Sequence, residues 1–199
     1  MIVLFLTAAI VISVPLFGGK FTRLVDVEFE ETWLVMLGFM IQIVVISVAP
    51  RDLATIADAV HLASYLLAGG FLLMNLHVPG LWIVGLGGGL NFAAIIANGG
   101  TMPAGEWATR VSGLVLAQGE FSNSEMVANP RLLFLGDVFP IPKAWPLSNV
   151  FSIGDLLLVV GAAVVLHSLS GSRLSRGHPT AAVTGDVVVP NPRARVRVS

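Results

Sequence analysis

The stretch that decides the fold is residues 59–105, AVHLASYLLAGGFLLMNLHVPGLWIVGLGGGLNFAAIIANGGTMPAG, which contains no charged side chain. A helix that crosses the hydrocarbon core of a bilayer needs about 20 mainly apolar residues. The run is long enough for two such helices. His77-Val78-Pro79-Gly80 supplies the break between them, because proline and glycine end a helix and turn the chain. We therefore predict spans near residues 59–78 and 81–98.

Three further stretches have the same character. Residues 1–19 and 32–50 carry no charged side chain, and residues 152–169 carry one, Asp155, near the start. In lipid every backbone polar group must be bonded within the segment, which favours helices for such stretches. The predicted fold is therefore all-α, a five-helix transmembrane bundle with an external loop cap.

Composition excludes several classes of protein. Of 199 residues, 55% are hydrophobic and 12% are charged, about half the ~25% charged fraction of a soluble domain. The chain has no cysteine, which excludes disulfides, iron–sulfur clusters and thiolate zinc sites. The net charge of −1 provides no basic surface for a phosphate backbone. We expect the lipid bilayer and a membrane protein as partners, and no nucleic acid.

The basic residues predict the orientation. With alternating spans, the eleven Lys and Arg residues divide seven to four between the two sides, and cytoplasmic segments carry the excess of such residues. The larger group contains Lys20, Arg23 and the arginines that follow the fifth span. This predicts a bacterial plasma-membrane protein with its amino terminus outside and its carboxyl terminus in the cytoplasm.

Two stretches lie outside the predicted spans. The external loop, about residues 99–150, is too apolar in its second half for a free solvent loop, so we expect it to pack on the helix ends. Long ordered loops are often functional. Residues 1–169 then form the membrane domain. Residues 170–199, rich in Ser, Gly, Pro and Arg, form a tail predicted to be disordered and cytoplasmic.

The glycine and histidine patterns are candidate binding motifs. Gly85 and Gly89 form a G-x-x-x-G pattern, which allows another helix to approach closely. With Gly69 and Gly70 on the preceding span, it predicts tight packing of the third and fourth spans rather than a phosphate site. No histidine pair has the H-x-x-x-H or H-E-x-x-H spacing of a metal site. We therefore expect no metal and no cofactor.

Two aspartates are the candidate chemical groups. Asp155 opens the fifth span within S-x-x-D, a helix-capping pattern, and a carboxylate at the edge of a span is also a candidate functional site. Asp137 lies in the external loop on the same side. Two nearby carboxylates can divide acid and base roles. Asn91 and Asn98 on the fourth span are the nearest candidate polar neighbours by depth.

Three stretches resemble a known family: NGGTMP at residues 98–103, FLGDVFPIP at 134–142 and NVFSIGD at 149–155. They are similar to an uncharacterised family of small bacterial multi-pass membrane proteins, frequent in actinobacteria and carrying a domain of unknown function. The resemblance covers nearly the whole chain before the tail. It implies a membrane protein and no particular activity.

Asp137, then Trp145-Pro146, then the stretch that leads into Asp155 also distantly resemble the second half of the lipoprotein signal peptidases. In those membrane aspartyl enzymes one catalytic Asp follows the penultimate helix and the other opens the last. The resemblance implies catalytic roles for Asp137 and Asp155. The peptidases' N-x-G-A-A and G-N-x-x-D-R motifs do not occur in this chain.

Two functions therefore stay open. The first is a non-catalytic or accessory membrane protein, in which both aspartates serve capping and loop anchoring. The second is a membrane-embedded aspartyl peptidase-like hydrolase, in which one aspartate activates water and the other protonates the leaving amine. The absence of the asparagine motifs favours the first.

Overall fold

The computed structural model describes residues 2–48, 54–114, 124–125 and 127–175. Within these ranges five long helices and one short helix account for most of the secondary structure. The helices are α1 (Ile2–Leu16), α2 (Thr32–Val48), α3 (Ala54–Met74), α4 (Leu81–Ala97), α5 (Glu106–Ser112) and α6 (Ile153–Ser170). The mainly helical fold that the sequence predicts is confirmed, and the five long helices coincide with the five predicted spans to within five residues at each end.

The prediction of an all-α fold is incomplete, because the loop cap contains short strands. Strand β1 (Met102–Pro103) pairs in parallel with β2 (Ser124–Glu125), and β3 (Phe139–Ile141) pairs antiparallel with β4 (Asn149–Phe151). In the second pair Phe139 lies opposite Phe151, and their rings stack with centroids 5.5 Å apart. Proline favours extended backbone in the residue before it, and Pro140 and Pro142 keep this segment extended.

The turn between α3 and α4 lies where the sequence predicts it. The Val78 N–H donates to the Asn75 carbonyl, and Gly80 at the start of α4 has φ of 93°. Only glycine adopts this left-handed conformation without strain. A Cβ added at Gly80 would also lie 2.8 Å from the backbone nitrogen of Val165 on α6. Conformation and space therefore both require glycine here.

Contacts between the helices show that they alternate in direction. Gln42 of α2 hydrogen-bonds Ser64 of α3, and the loop before α2 reaches Asn75 just after α3 through Glu30, so α2 and α3 are antiparallel. Between α3 and α4 the Tyr65 ring packs on Phe92 at a tilt of 34°, and Leu72 lies near Gly85, so these two helices are also antiparallel. The α4 and α6 helices are also antiparallel, whereas α1 and α6 end side by side.

The loop cap packs on one end of this bundle. Met102 in β1 contacts a buried cluster at the end of α4 that includes Ala94 and Ile95, and Leu135 packs on the same cluster. We call this end of the bundle, where α4 ends and α6 begins, the capped end. The end where α1 and α6 finish is the opposite end.

At the opposite end the chain closes onto itself just after α6. Gly171 ends the helix with φ of 65°. The Lys20 N–H then donates to the Ser170 carbonyl, and the Arg173 N–H donates to the Phe17 carbonyl. The packed structure thus continues to Ser175, six residues beyond the predicted membrane domain. Residues 176–199, which make up most of the predicted disordered tail, lie outside the described residues.

The close helix contact is not the one that the glycine pattern predicts. Among the described residues no atom outside the backbone of α4 lies within 4 Å of a Cβ added at Gly89, and the nearest to one added at Gly85 is Leu72 Cδ1 at 4.0 Å. A Cβ added at Gly87 would instead lie 2.6 Å from the carbonyl oxygen of Gly154 on α6. The prediction of tight packing between the third and fourth spans is therefore wrong, and α4 packs tightly on α6.

Small and polar side chains lie inside the bundle, and many large apolar side chains lie on its surface. The buried side chains of the described residues are largely small or polar, among them Ser64, Asn75, Asn91 and Ser152. Large apolar side chains point outward on all five long helices. Examples are Ile12 at 61% exposure, Phe39 at 62%, Leu66 at 66%, Leu86 at 48% and Leu156 at 47%. Such extensive exposed apolar surface marks contact with lipid or protein.

By length and composition, α6 is the one described helix apolar and long enough to cross a membrane, with 18 residues. The apolar parts of α1, α2, α3 and α4 within the described residues are shorter, from 12 to 17 residues. At about 1.5 Å per residue, a 17-residue helix is about 26 Å long. The hydrocarbon core is about 30 Å thick.

Candidate functional site

The first turn of α6 carries the polar cluster at the capped end. Ser152 caps the helix, its hydroxyl accepting a hydrogen bond from the Asp155 N–H at 3.0 Å. The Asp155 carboxylate oxygen Oδ2 accepts from the Ser152 N–H, also at 3.0 Å. The predicted capping box is therefore confirmed, and it satisfies two backbone donors that a helix start leaves unpaired.

Asn91 of α4 joins this cap to the neighbouring helix. Its side-chain amide donates to Asp155 Oδ1 at 2.8 Å, and its Oδ1 accepts from the Ser152 hydroxyl at 2.8 Å. Asn91 is 8% exposed, so these bonds replace water that the side chain has lost. The missing side chain of Gly154 makes room, because a Cβ there would overlap the Asn91 oxygen.

Tyr65 of α3 completes the surroundings of Asp155. Its ring packs on Phe92 with centroids 5.6 Å apart, and it lies within electrostatic range of the Asp155 carboxylate. The sequence reasoning did not identify Tyr65. Two features of the sequence could have identified Tyr65 as a candidate. It is the single tyrosine in the chain, and it lies in the apolar stretch near the capped end.

Asp137 is held in the cap through its backbone. Its N–H donates to the Pro103 carbonyl at 2.9 Å, and its carbonyl accepts from the Gly105 N–H at 3.0 Å. The residue is 6% exposed, so it is not a surface turn residue. The pairing of Phe139 with Phe151 places the residues just before β3 beside those just after β4. Asp137 and the capping box therefore lie at the same end of the bundle.

Asn98 has different partners from Asn91. Its amide donates to the Arg131 carbonyl at 2.7 Å, and its oxygen accepts from the Arg131 N–H at 2.8 Å. It also caps α4 by donating to the Ala94 carbonyl. Asn98 thus fastens the loop cap to the end of α4, while Asn91 contacts Asp155 and Ser152.

The opposite end of the bundle contains a histidine between two serines. His167 is buried, with Nε2 3.0 Å from the Ser13 hydroxyl and Nδ1 2.8 Å from the Ser172 hydroxyl. The ring therefore links α1 to the chain after α6. Among the described residues no three His, Cys, Asp or Glu side chains are grouped as metal ligands would be.

As arranged, the cluster at the capped end can position a carboxylate and accept further hydrogen bonds. Each carboxylate oxygen has two lone pairs, and Asp155 uses one on each oxygen for Asn91 and Ser152. Asp155 also faces a groove between α1, α6 and the β3–β4 hairpin. A ligand in that groove could reach the carboxylate.

The polar cluster at the capped end lies within the part of the chain that matches a known family. The model of a family of unknown function (DUF5317) matches residues 26–167, which include Asn91, Asp137 and Asp155. An uncharacterized protein of Thermotoga maritima is 28% identical over 94 residues, covering 47% of this chain and 54% of that protein. The chain thus spans about half the length of the curated relative it matches. No solved structure matches the chain.

Proposed function

We propose that this chain, which belongs to the DUF5317 family of unknown function, is a non-catalytic multi-pass protein of the bacterial plasma membrane. The observation that carries the proposal is the outward placement of large apolar side chains on all five long helices. Exposing such surface to water costs about 25 cal/mol per Å². In lipid that cost disappears, and packing depends on small residues and hydrogen bonds between helices, as in the α4–α6 contact.

The alternating helix directions support five spans. The break at His77–Gly80 and the antiparallel contacts of α2 with α3 and of α4 with α6 are the features of a chain that crosses back and forth. Helices shorter than the hydrocarbon thickness are accommodated at modest cost by local thinning of the bilayer. The proposal therefore treats the whole bundle as embedded, with the loop cap at one surface.

The basic residues support an orientation with the opposite end in the cytoplasm. Lys20, Arg23 and Arg173 lie together at that end, since a Cβ added at Gly171 would touch the Arg23 guanidinium and one added at Gly18 would lie 3.7 Å from Arg173 Nε. Four further arginines follow in the sequence. Their combined excess favours the cytoplasmic side.

The hydrogen bonds of Asp155 support a non-catalytic role. Both carboxylate oxygens are bound by structural partners, Asn91 on one side and the Ser152 backbone on the other. These two bonds account for the position of the carboxylate by helix capping and helix contact alone. We therefore assign Asp155 to helix capping and to the α4–α6 contact, and the protein to an accessory role beside another membrane protein.

Cysteine labelling tests the membrane topology, because the chain has no native cysteine. Thr22 and Ala128 are exposed at the opposite and capped ends respectively. In intact cells an impermeant thiol reagent should label Ala128→Cys, whereas Thr22→Cys should react only after the membrane is permeabilised. The reverse pattern would overturn the orientation. Extraction of the protein from membranes by alkaline carbonate would overturn the embedding itself.

A second candidate, the aspartyl peptidase-like hydrolase, is favoured by the position of Asp137. This buried residue lies at the same end of the bundle as Asp155, which faces an apolar groove. The test compares Asp137→Asn and Asp155→Asn in cells that lack the chromosomal copy. If both variants reach the membrane in normal amounts and neither restores the lost phenotype, catalysis replaces the accessory role. If both restore it, the hydrolase is excluded.

A further inference from the structure

A groove of about 840 Å³ lies between α1, α6 and the β3–β4 hairpin. Its volume is in the range of about 300–1,000 Å³ that is typical of small-molecule sites. The walls are formed by apolar side chains, including Phe5 of α1, Trp145 and Leu147 of the hairpin, and Val159 of α6. The groove is therefore suited to a hydrocarbon chain.

One charged side chain breaks this apolar lining. Of the described residues that line the groove, Asp155 is the single ionisable one. A carboxylate beside apolar surface is costly unless it is paired. Each carboxylate oxygen has two lone pairs, so Asp155 can accept a further hydrogen bond beside those from Asn91 and Ser152. Charge complementarity therefore selects a ligand with a hydrogen-bond donor, and a protonated amine is the best match.

The position of the groove indicates where such a ligand comes from. It lies at the capped end on the outer side of α1 and α6, and Trp145 at its rim is 66% exposed. Tryptophan is enriched where the bilayer meets water. A ligand whose chain lies along α6 would thus carry its polar group at headgroup depth, beside Asp155.

From these observations we infer that the groove binds an acyl chain of an aminophospholipid, with the lipid ammonium donating to the Asp155 carboxylate. The inference rests on the proposed membrane function, because the ligand is a component of the bilayer. Phosphatidylethanolamine has the required amine. Phosphatidylcholine offers similar chains but a quaternary ammonium that cannot donate a hydrogen bond, so it provides the matched comparison.

Trp145 makes the test direct. A variant in which Trp33, Trp82 and Trp107 become Phe keeps Trp145 as the one fluorescent indole, and these three side chains are all more than half exposed. The protein is placed in phosphatidylcholine vesicles with increasing fractions of either phosphatidylethanolamine or phosphatidylcholine that carries brominated chains, which quench tryptophan. We expect about a fivefold preference for the ethanolamine lipid, equivalent to about 1 kcal/mol.

Substitutions in the groove provide the controls. Val159→Phe fills the groove, whereas Val160→Phe adds the same ring at a neighbouring residue that is 43% exposed and does not line it. The preference should disappear in Val159→Phe and persist in Val160→Phe. Asp155→Asn removes the negative charge and should abolish the preference for the ethanolamine lipid over the choline lipid.

The outcomes separate this inference from the proposed function. Equal quenching by the two brominated lipids in the parent protein would overturn the aminophospholipid site and leave the membrane embedding intact. A preference that survives Val159→Phe would place the selective lipid elsewhere and would also overturn the inference. Absence of quenching by either lipid would contradict the membrane embedding itself.

Discussion

The two faces of α4 differ although both carry glycine. Toward α6, Gly87 lies against the backbone of Gly154, and Gly161 of α6 lies against Val84, so the two backbones are in close contact. Toward α3, a Cβ added at Gly85 would have Leu72 Cδ1 as its nearest neighbour at 4.0 Å, and no atom of the described residues lies within 4 Å of one added at Gly89. Asn91 lies on the α6 side and bonds across the contact. Glycine alone therefore does not mark a close helix contact.

The comparison indicates which glycines stabilise contacts between helices in an apolar bundle. Helices in lipid gain little from burying apolar surface, so they associate through packing and hydrogen bonds between them. The α4–α6 contact offers both, because Gly154 leaves the space that the Asn91 side chain occupies. A G-x-x-x-G pattern without a polar partner, such as Gly85 and Gly89, lacks the second contribution.

The largest effect is expected from Gly154→Val. The added atoms would overlap the side-chain oxygen of Asn91 and push α4 away from α6. Overpacking usually costs about 1–3 kcal/mol and occasionally more. We expect at least about 3 kcal/mol here, because the backbone of α4 at Gly87 also lies against Gly154 and cannot move aside as a side chain can. Unfolding in mixed micelles with increasing denaturing detergent measures it. Wild-type stability in this variant would show that the two helices are not in backbone contact.

Asn91→Leu should have the next largest effect. It removes the donor to Asp155 and the acceptor for the buried Ser152 hydroxyl. An unsatisfied buried polar group costs about 1–3 kcal/mol, so we expect a loss of about 2–3 kcal/mol in the same unfolding assay. Asn98→Leu is the matched control, expected to cost about 1 kcal/mol, because water can replace its partners at the edge of the cap. A larger cost for Asn98→Leu would contradict the comparison.

Asp155→Asn tests whether Asp155 contributes more to stability than helix capping alone. Capping alone predicts only the loss of the helix-dipole contribution, about 0.3–1 kcal/mol. Asp155 uses both oxygens as acceptors, however, and an asparagine has one. We therefore expect a cost of about 1–2 kcal/mol. Measured in the Asn91→Leu background, the cost should fall, because the two residues interact directly. Strict additivity of the two substitutions would exclude the bond between them.

The smallest effect is expected on the other face of α4. The Cβ of Gly89→Ala would have no neighbour within 4 Å in the part of the chain that the structure describes, and alanine is favoured over glycine within a helix by about 0.5–1 kcal/mol. The variant should be as stable as the parent protein or more stable by up to about 1 kcal/mol. A clear loss of stability would mean that another helix packs on this face after all.

Much of the fold could be predicted from local signals. The charge-free stretches located the five long helices, Pro79 and Gly80 located the turn, and Ser152 with Asp155 located the start of α6 and its capping box. The strands of the cap could not be predicted in this manner. A two- or three-residue strand such as β1 or β3 has no periodicity of its own, and it forms only where a distant segment offers its backbone.

The candidate site divides in the same way. From the sequence we predicted that Asp155, Asp137, Asn91 and Asn98 lie at one end of the bundle, because depth follows from position along a helix. It could not tell that Asn91 bonds Asp155 while Asn98 bonds the Arg131 backbone. That distinction depends on which face of α4 meets α6. Tyr65 was missed for the same reason, since it comes from a third helix.

By itself, then, the sequence determined where the five long helices lie, to within five residues at each end, and the capping box at Ser152. Each of these depends on interactions over a few consecutive residues or on the transfer of a side chain into an apolar phase. Only the tertiary structure decided that α4 packs on α6 through Gly87 and Gly154. Several glycine ridges are available on these helices, and the choice depends on which one also allows Asn91 to satisfy Asp155 across the contact.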